Sequence, residues 1–125
     1  MKKAIVTDKA PKAIGPYSQG MIFGNLVFSS GQIAINPQTG QFEEGPIQNQ
    51  AARTFTNLME IIKASGSRPE NIIKVTVYLK NMDDFAKMNE VYTEYFKGNF
   101  PARAVVEVSR LPKDAAIEVE AIAYL

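Results

Sequence analysis

Apolar positions recur along this chain in two spacings, which separate strands from helices. Alternation and runs of β-branched residues predict strands, and residues 24–25, Gly-Asn, predict a two-residue hairpin turn between the second and third of them. The predicted strands are residues 3–7, 21–23, 26–29, 72–80, 102–109 and 116–124. A stretch with two prolines and two glycines, residues 36–46, predicts a loop.

Two segments instead carry apolar residues at helical spacing. Residues 47–64 predict the first helix, which Gly66 and Pro69 end, and residues 82–96 predict the second, which ends at Gly98. The order is therefore β-β-β-α-β-α-β-β, with no linker, repeat or low-complexity tract. This order predicts an α+β domain in which two helices pack on one face of a sheet.

Strand alternation gives a first placement of the charged side chains. On the strand at 102–109, Arg103, Val105 and Glu107 share one side, and on the last strand Glu118 and Glu120 share a side. We expect all of these charged groups on the sheet face away from the apolar one. With helices on only one face, that polar face meets water or another subunit.

The register of these two strands predicts where Arg103 and Glu118 lie relative to each other. Counting back from the turn between the strands sets Arg103 level with Ala123, five residues from Glu118. That offset corresponds to roughly 16 Å along the strands. The two side chains of one subunit therefore cannot share a small ligand, so a site that uses both lies between subunits.

Composition and charge narrow the function classes. A chain of 125 residues with 46% hydrophobic content predicts a single domain spanning residues 1–125. Its 14 basic and 13 acidic residues give a net charge of +1, which favours neither nucleic acid nor a membrane as the main partner. No apolar stretch is long enough for a signal peptide or a membrane span, and we expect a cytoplasmic protein.

The absence of histidine and cysteine removes whole reaction classes. Neither a Ser-His-Asp nor a Cys-His arrangement is possible, and zinc loses its two preferred ligand types. A proton carrier must then be Glu, Asp, Lys or Tyr. Gly15 and Gly20 have the spacing of a phosphate-binding loop, but Met21 and Ile22 stand where Lys and Ser or Thr are needed, which argues against nucleotide binding.

Several motifs in a fixed order resemble the reactive intermediate deaminase family, also called Rid or YjgF. They are Ala-Ile-Gly-Pro-Tyr-Ser-Gln-Gly at residues 13–20, Ser-Ser-Gly-Gln-Ile at 29–33, and the block from Phe-Pro-Ala-Arg at 100–103 to Ile-Glu-Val-Glu-Ala-Ile at 117–122. The resemblance covers about residues 3–125. It implies a chorismate-mutase-like fold, with a mixed six-stranded sheet and two helices on one face, assembled as a homotrimer with its sites between subunits.

The resemblance also implies an activity. Members hydrolyse 2-imino acids such as 2-iminobutanoate and 2-iminopropanoate to 2-keto acids and ammonia, without a metal or cofactor. Arg103 would anchor the substrate carboxylate, which its planar fork suits, and Glu118 would activate a water. On residue type alone, Arg103 would more often be a salt-bridged surface residue, and Glu118 a solvated position.

Five further positions are implicated in substrate binding by the resemblance. Tyr17 would line the cleft, although it could simply be an aromatic lid on the surface, and Ser30 and Gly31 would let backbone approach the ligand, although they could form only a turn. Asn89 lies mid-helix, where Asn is a mediocre helix former, so a polar task is plausible. Val105 stands where many relatives have cysteine.

Two other classes of function stay open on the sequence. A regulatory module would bind a 2-keto acid in the same cleft without turnover. Relatives have also been described as translation inhibitors, ribonucleases or chaperones. The near-neutral charge argues against RNA as the main partner.

Overall fold

The computed structural model describes residues 1–125, which form one mixed six-stranded sheet. The strands, in chain order, are β1 (Lys3–Ile5), β2 (Gly20–Phe23), β3 (Leu26–Ser29), β4 (Ile72–Leu79), β5 (Ala102–Glu107) and β6 (Ile117–Tyr124). Their order across the sheet is β1-β2-β3-β6-β4-β5, and only the pairing of β4 with β5 is parallel. The predicted hairpin is confirmed, with Gly24 at φ 60° in its turn.

Both predicted helices are present and pack on one face of the sheet. Helix α1 (Ile47–Ala64) and helix α2 (Phe85–Phe96) bury their apolar residues against alternate positions of β4 and β6 in one core of 22 buried residues. Helix α1 is followed by Gly66 at φ 92°, as its stop signal predicts. The expected α+β architecture is confirmed. No helix is long and apolar enough to cross a membrane.

Several boundaries differ from the sequence expectation by one to three residues. The first strand ends at Ile5 rather than at residue 7, because the N–H of Thr7 donates to the side-chain oxygen of Gln19 instead of to a neighbouring strand. The second helix begins at Phe85, after a 3₁₀ turn over Met82–Asp84. Strand β5 ends at Glu107, two residues earlier than predicted.

The register between β5 and β6 also differs from the prediction. Val75 of β4 pairs with Arg103 on one side and with Ala121 on the other, so Arg103 is level with Ala121 and three residues from Glu118. The predicted level, Ala123, is wrong by two residues. The physical reason is that β4 lies between the two strands. Their connection spans a strand rather than forming a tight turn, and its length does not fix the register.

The predicted face of Arg103 is wrong as well. Because Arg103 pairs with the fully buried Val75, its side chain lies on the helix-covered face, and Val105 beside it packs against the main core. The alternate side chains of β5 are the more apolar ones and were expected to face the helices. They lie on the open face of the sheet instead, where Val106 is 42% exposed. Glu118 lies where it was expected, on the open face.

Candidate active site

Four of the predicted site residues meet in one cleft on the open side of the sheet. Tyr17, Ser30, Gly31 and Glu118 all line this cleft, which has a volume of about 520 Å³. Tyr17 is 50% exposed, at the mouth of the cleft. We call this group the glutamate cleft. It combines a carboxylate with exposed aromatic surface and a stretch of irregular backbone.

The backbone of the glutamate cleft is tied to β6 by hydrogen bonds on both sides of residues 30–31. On one side, Ser29 Oγ accepts the N–H of Ala121 at 2.9 Å. On the other, Gln32 and Val119 exchange two backbone hydrogen bonds of 2.8 and 3.0 Å. This loop is therefore held rigidly alongside the strand that carries the glutamate.

The N-terminal segment forms the other wall of the cleft, opposite the loop at residues 30–31, and a buried side-chain amide holds it in place. Gln19, 4% exposed, donates to the carbonyl oxygen of Pro11 at 2.8 Å and so holds the N-terminal segment against the sheet. Ser30 Oγ donates to the carbonyl oxygen of Ser18 at 2.6 Å, which joins the two walls. Tyr17 is thus carried on a segment with fixed ends. Ser30 is one of the predicted site residues, whereas Gln19 stood out in the sequence only as part of the motif at residues 13–20.

Glu118 lies in surroundings that disfavour its charge. Partial burial, and then the neighbouring carboxylate of Glu120, raise the pKa of Glu118 above the usual 4.5. Tyr78 lies across from Glu118 on β4, and burial first and the two carboxylates next raise its own pKa. Lys12 and Lys113 line the cleft, both exposed. A carboxylate with a raised pKa is suited to accepting a proton near neutral pH.

Arg103 and Asn89 form a second, separate group. Asn89 Oδ1 accepts a hydrogen bond of 2.7 Å from a terminal nitrogen of Arg103, and the guanidinium lies 4.6 Å from the ring centre of Tyr92 and 5.6 Å from that of Phe85. The three α2 residues are four and three positions apart and share one helix face. Asn89, Tyr92 and Phe100 line a groove of about 370 Å³ beside Arg103, which we call the arginine groove.

The arginine is oriented but left without a counter-charge. No carboxylate lies within ion-pairing distance of Arg103, and only one of its hydrogen-bond donors has a partner. A guanidinium has five N–H donors in a planar fork. The guanidinium is held by one amide and two aromatic rings, and its remaining N–H donors have no partner. Such a group is suited to binding an anion with two oxygens.

Two residues beside the Arg103 guanidinium were not predicted to be site residues. Tyr92 and Phe85 have the apolar spacing of the second helix, which favours a place on its buried face. Their positions relative to Asn89 could have indicated the shared face, but only the register of β5 brings Arg103 to it. Val105, the residue at the usual cysteine position, packs against the core and lines neither cleft.

One chain does not bring the two groups together. Arg103 and Glu118 project from opposite faces of the sheet, and their backbones are about 10 Å apart along the strands and about 10 Å apart across them. The predicted site residues therefore divide into two halves. The glutamate cleft holds four of them, and the arginine groove holds Arg103 and Asn89.

The sequence profile of the family described as Endoribonuclease L-PSP matches residues 7–125. The chain belongs to this family, which is also known as YjgF or Rid. A RutC family protein of Pyrococcus horikoshii is 56% identical over 99% of this chain and 98% of its own length. The human protein named 2-iminobutanoate/2-iminopropanoate deaminase is 45% identical over 98% of this chain and 90% of its own length.

Solved structures of Rid proteins have the same fold. The crystal structure of E. coli TdcF with bound serine superposes with a TM-score of 0.94 at 45% identity, covering 98% of each chain. The expected YjgF fold is thereby confirmed. The family assignment that the motifs indicated is confirmed too.

Proposed function

We propose that this Rid protein is an imine deaminase that hydrolyses 2-imino acids, such as 2-iminobutanoate and 2-iminopropanoate, to 2-keto acids and ammonia. One observation carries this proposal: Glu118, with its raised pKa, faces a cleft large enough for a small acid, while an unpaired arginine is available for the carboxylate. The name of the human relative supports the reaction, and the serine bound to E. coli TdcF supports a small ligand with a carboxylate.

We place the complete site between two subunits, with Glu118 from one and Arg103 from its neighbour. The two side chains leave opposite faces of one sheet, so the open face of one subunit has to meet the edge of another that carries the arginine groove. The open face includes Phe28, 37% exposed, and Val106, 42% exposed, which are apolar enough to pack against a copy. A closed trimer would contain one such site at each interface.

Anchoring comes first in the proposed reaction. The substrate carboxylate accepts two parallel hydrogen bonds from Arg103, whose side chain is already held by Asn89 and by the ring of Tyr92. Because the arginine is oriented before substrate arrives, little side-chain entropy is lost on binding. The anchored acid then presents its imine carbon toward the glutamate of the neighbouring subunit.

Hydrolysis then needs one proton acceptor and one water. Glu118 takes a proton from the water as the water oxygen bonds to the imine carbon, the C=N π pair moves to nitrogen, and Glu118 returns the proton to that nitrogen to give the neutral carbinolamine. Glu118 then accepts the carbinolamine hydroxyl proton and passes it to the same nitrogen, so the carbon–nitrogen bond breaks, ammonia leaves with the bonding pair, and the keto group forms. General-base assistance of this kind contributes about 10² to 10⁴ in rate.

A coupled assay tests the proposal. A dehydratase acting on threonine or serine generates the imine, and release of the 2-keto acid is followed with and without this protein, under conditions in which imine hydrolysis limits the rate. We expect acceleration by the wild type and, with Glu118→Gln, retained ligand binding and an acceleration lower by about 10² to 10⁴. If the wild type binds a 2-keto acid yet leaves the rate unchanged, the protein is a sensor and the deaminase proposal fails.

A further inference from the structure

Gly31 has no conformational reason to be glycine. Six other glycines in the chain have φ values in the left-handed region, but Gly31 does not, so its backbone is one that any residue adopts. Gly31 is also exposed, so ordinary core packing does not exclude a side chain there. The absence of a side chain at residue 31 is therefore explained by whatever occupies the space where that side chain would lie.

That space is taken by the carboxylate of Glu118. A Cβ at residue 31 would lie 2.6 Å from Oε2 of Glu118, 2.8 Å from Cδ and 3.1 Å from Cγ. Carbon atoms approach each other at about 3.5 to 4.0 Å, so with a methyl group at residue 31 the carboxylate, at the end of a flexible side chain, has to leave its present position. The contact involves the functional end of the side chain as well as its stem.

Residue 31 cannot retreat to make room. The hydrogen bonds from Ser29 to Ala121 and between Gln32 and Val119 fix the backbone on both sides of it to the strand that carries the glutamate. A side chain at residue 31 therefore displaces the carboxylate, away from the loop and toward the open cleft.

We infer that Gly31 is a positioning residue for Glu118: its missing side chain leaves the niche that fixes where the carboxylate is held. The consequence for catalysis rests on the proposed deaminase function, whereas the niche itself does not. A base displaced by about 1 Å is expected to lose on the order of 100-fold in rate, because proton transfer needs hydrogen-bond distance to the attacking water.

The first test reads the carboxylate directly and needs no activity. In protein labelled with ¹³C at glutamate Cδ, the Glu118 resonance is assigned by its loss in Glu118→Gln and followed through a pH titration. Gly31→Ala is expected to lower the pKa of Glu118 toward the usual value, because the displaced group is better hydrated. An unchanged titration would overturn the inference, whatever the protein catalyses.

The second test is a double-mutant cycle with the imine assay. Gly31→Ala is expected to lower kcat about 100-fold in the wild type and to cost nothing further in the Glu118→Gln background. Gly66→Ala is the control for a general loss of stability, because at φ 92° the added methyl group strains the backbone while it touches no other side chain and lies outside both clefts. An equal rise of KM in both backgrounds would show that Gly31 acts on the substrate and not through Glu118.

A stability readout covers the case in which Gly31→Ala folds poorly. Glu118→Ala removes every side-chain atom that the added methyl group would meet, since these are Oε2, Cδ and Cγ of Glu118. The fall in Tm caused by Gly31→Ala should therefore be smaller in the Glu118→Ala background than in the wild type. The same fall in both backgrounds would contradict a clash with Glu118. Absence of deaminase activity in the wild type would count against the proposed function alone.

Discussion

Arg103 and Tyr92 form a stacked pair in which the guanidinium lies 4.6 Å from the ring centre, beneath the hydrogen bond that Asn89 makes to the same guanidinium. The pair joins β5, the strand that carries the predicted carboxylate anchor Arg103, to the core of the helix layer, since Tyr92 is 3% exposed. An arginine fixed in this way is oriented by side chains that never need to touch the substrate.

Arg103→Lys is expected to lose most of the deaminase activity although the charge is retained. An ammonium cannot make two parallel hydrogen bonds to a carboxylate, and a hydrogen bond to a charged group contributes about 1.5 to 3 kcal/mol, or roughly 10- to 100-fold in kcat/KM. Arg68→Lys, at an exposed arginine outside both clefts, is the matched control. Near wild-type kinetics for Arg103→Lys would remove Arg103 from the anchoring role.

Tyr92 separates a role of the ring from a role of its hydroxyl. The hydroxyl is buried without a hydrogen-bond partner, so Tyr92→Phe should keep kcat/KM and leave the free energy of unfolding unchanged or higher by about 1 kcal/mol. Tyr92→Leu removes the ring beneath Arg103 and should lower kcat/KM by roughly 2- to 30-fold, mainly through KM. Steady-state kinetics and thermal unfolding of both variants measure this, and equal kinetics for the two would contradict it.

The elements were predictable because their signals are local. Helical spacing, the stop signals after residue 64 and the Gly24-Asn25 turn each lie within a few residues of what they determine. The motifs likewise gathered Tyr17, Ser30, Gly31 and Glu118, which the structure brings together.

The positions of side chains across the sheet were not predictable in the same way. Strand β4 lies between β5 and β6, and only its pairings determine that Arg103 faces the helices and is level with Ala121. Alternation along β5 suggested the opposite face, because its more apolar row is the open one. A row of that kind is expected where a second subunit covers the sheet.

The pH dependence of activity should report the raised pKa of Glu118. Because the base must be ionised, kcat/KM should fall on the acid side at a pKa above the usual 4.5. Glu120→Gln removes the neighbouring negative charge and should move the acid limb of the plot of kcat/KM against pH to lower pH. Both enzymes use the same imine, so titration of the substrate cancels in the comparison. An identical acid limb would show that Glu120 does not influence the base.

The raised pKa of Glu118 also makes the free energy of unfolding depend on pH. A salt-bridged acid has a lowered pKa and stabilises the fold when ionised, whereas Glu118 stabilises it when protonated. A carboxyl with a higher pKa in the folded state favours folding when protonated, so this contribution is complete below pH 4.5 and is lost as the pH rises through the folded-state pKa. Glu118→Gln should therefore be more stable than the wild type at pH 7, and the difference should shrink toward pH 4. Unfolding by urea at the two pH values measures it, and a less stable variant at pH 7 would contradict the account.

Exhaustive chelation should leave the activity unchanged. The chain has neither histidine nor cysteine, and the proposed steps need only an arginine, a glutamate and water. The assay is run after dialysis against a chelator, with the dehydratase supplied in excess as a control for its own sensitivity. Activity that is lost and then restored by an added divalent ion would contradict the mechanism.

Mixing two inactive variants tests the shared site most directly. Arg103→Ala and Glu118→Ala should each be inactive as pure oligomers, since every interface then lacks one of the two groups. In a mixed oligomer, an interface between Glu118 of the Arg103→Ala chain and Arg103 of the Glu118→Ala chain is intact. Refolding the two together should therefore restore a fraction of wild-type activity. No recovery, with mixed oligomers demonstrated by mass spectrometry, would contradict a site shared between subunits.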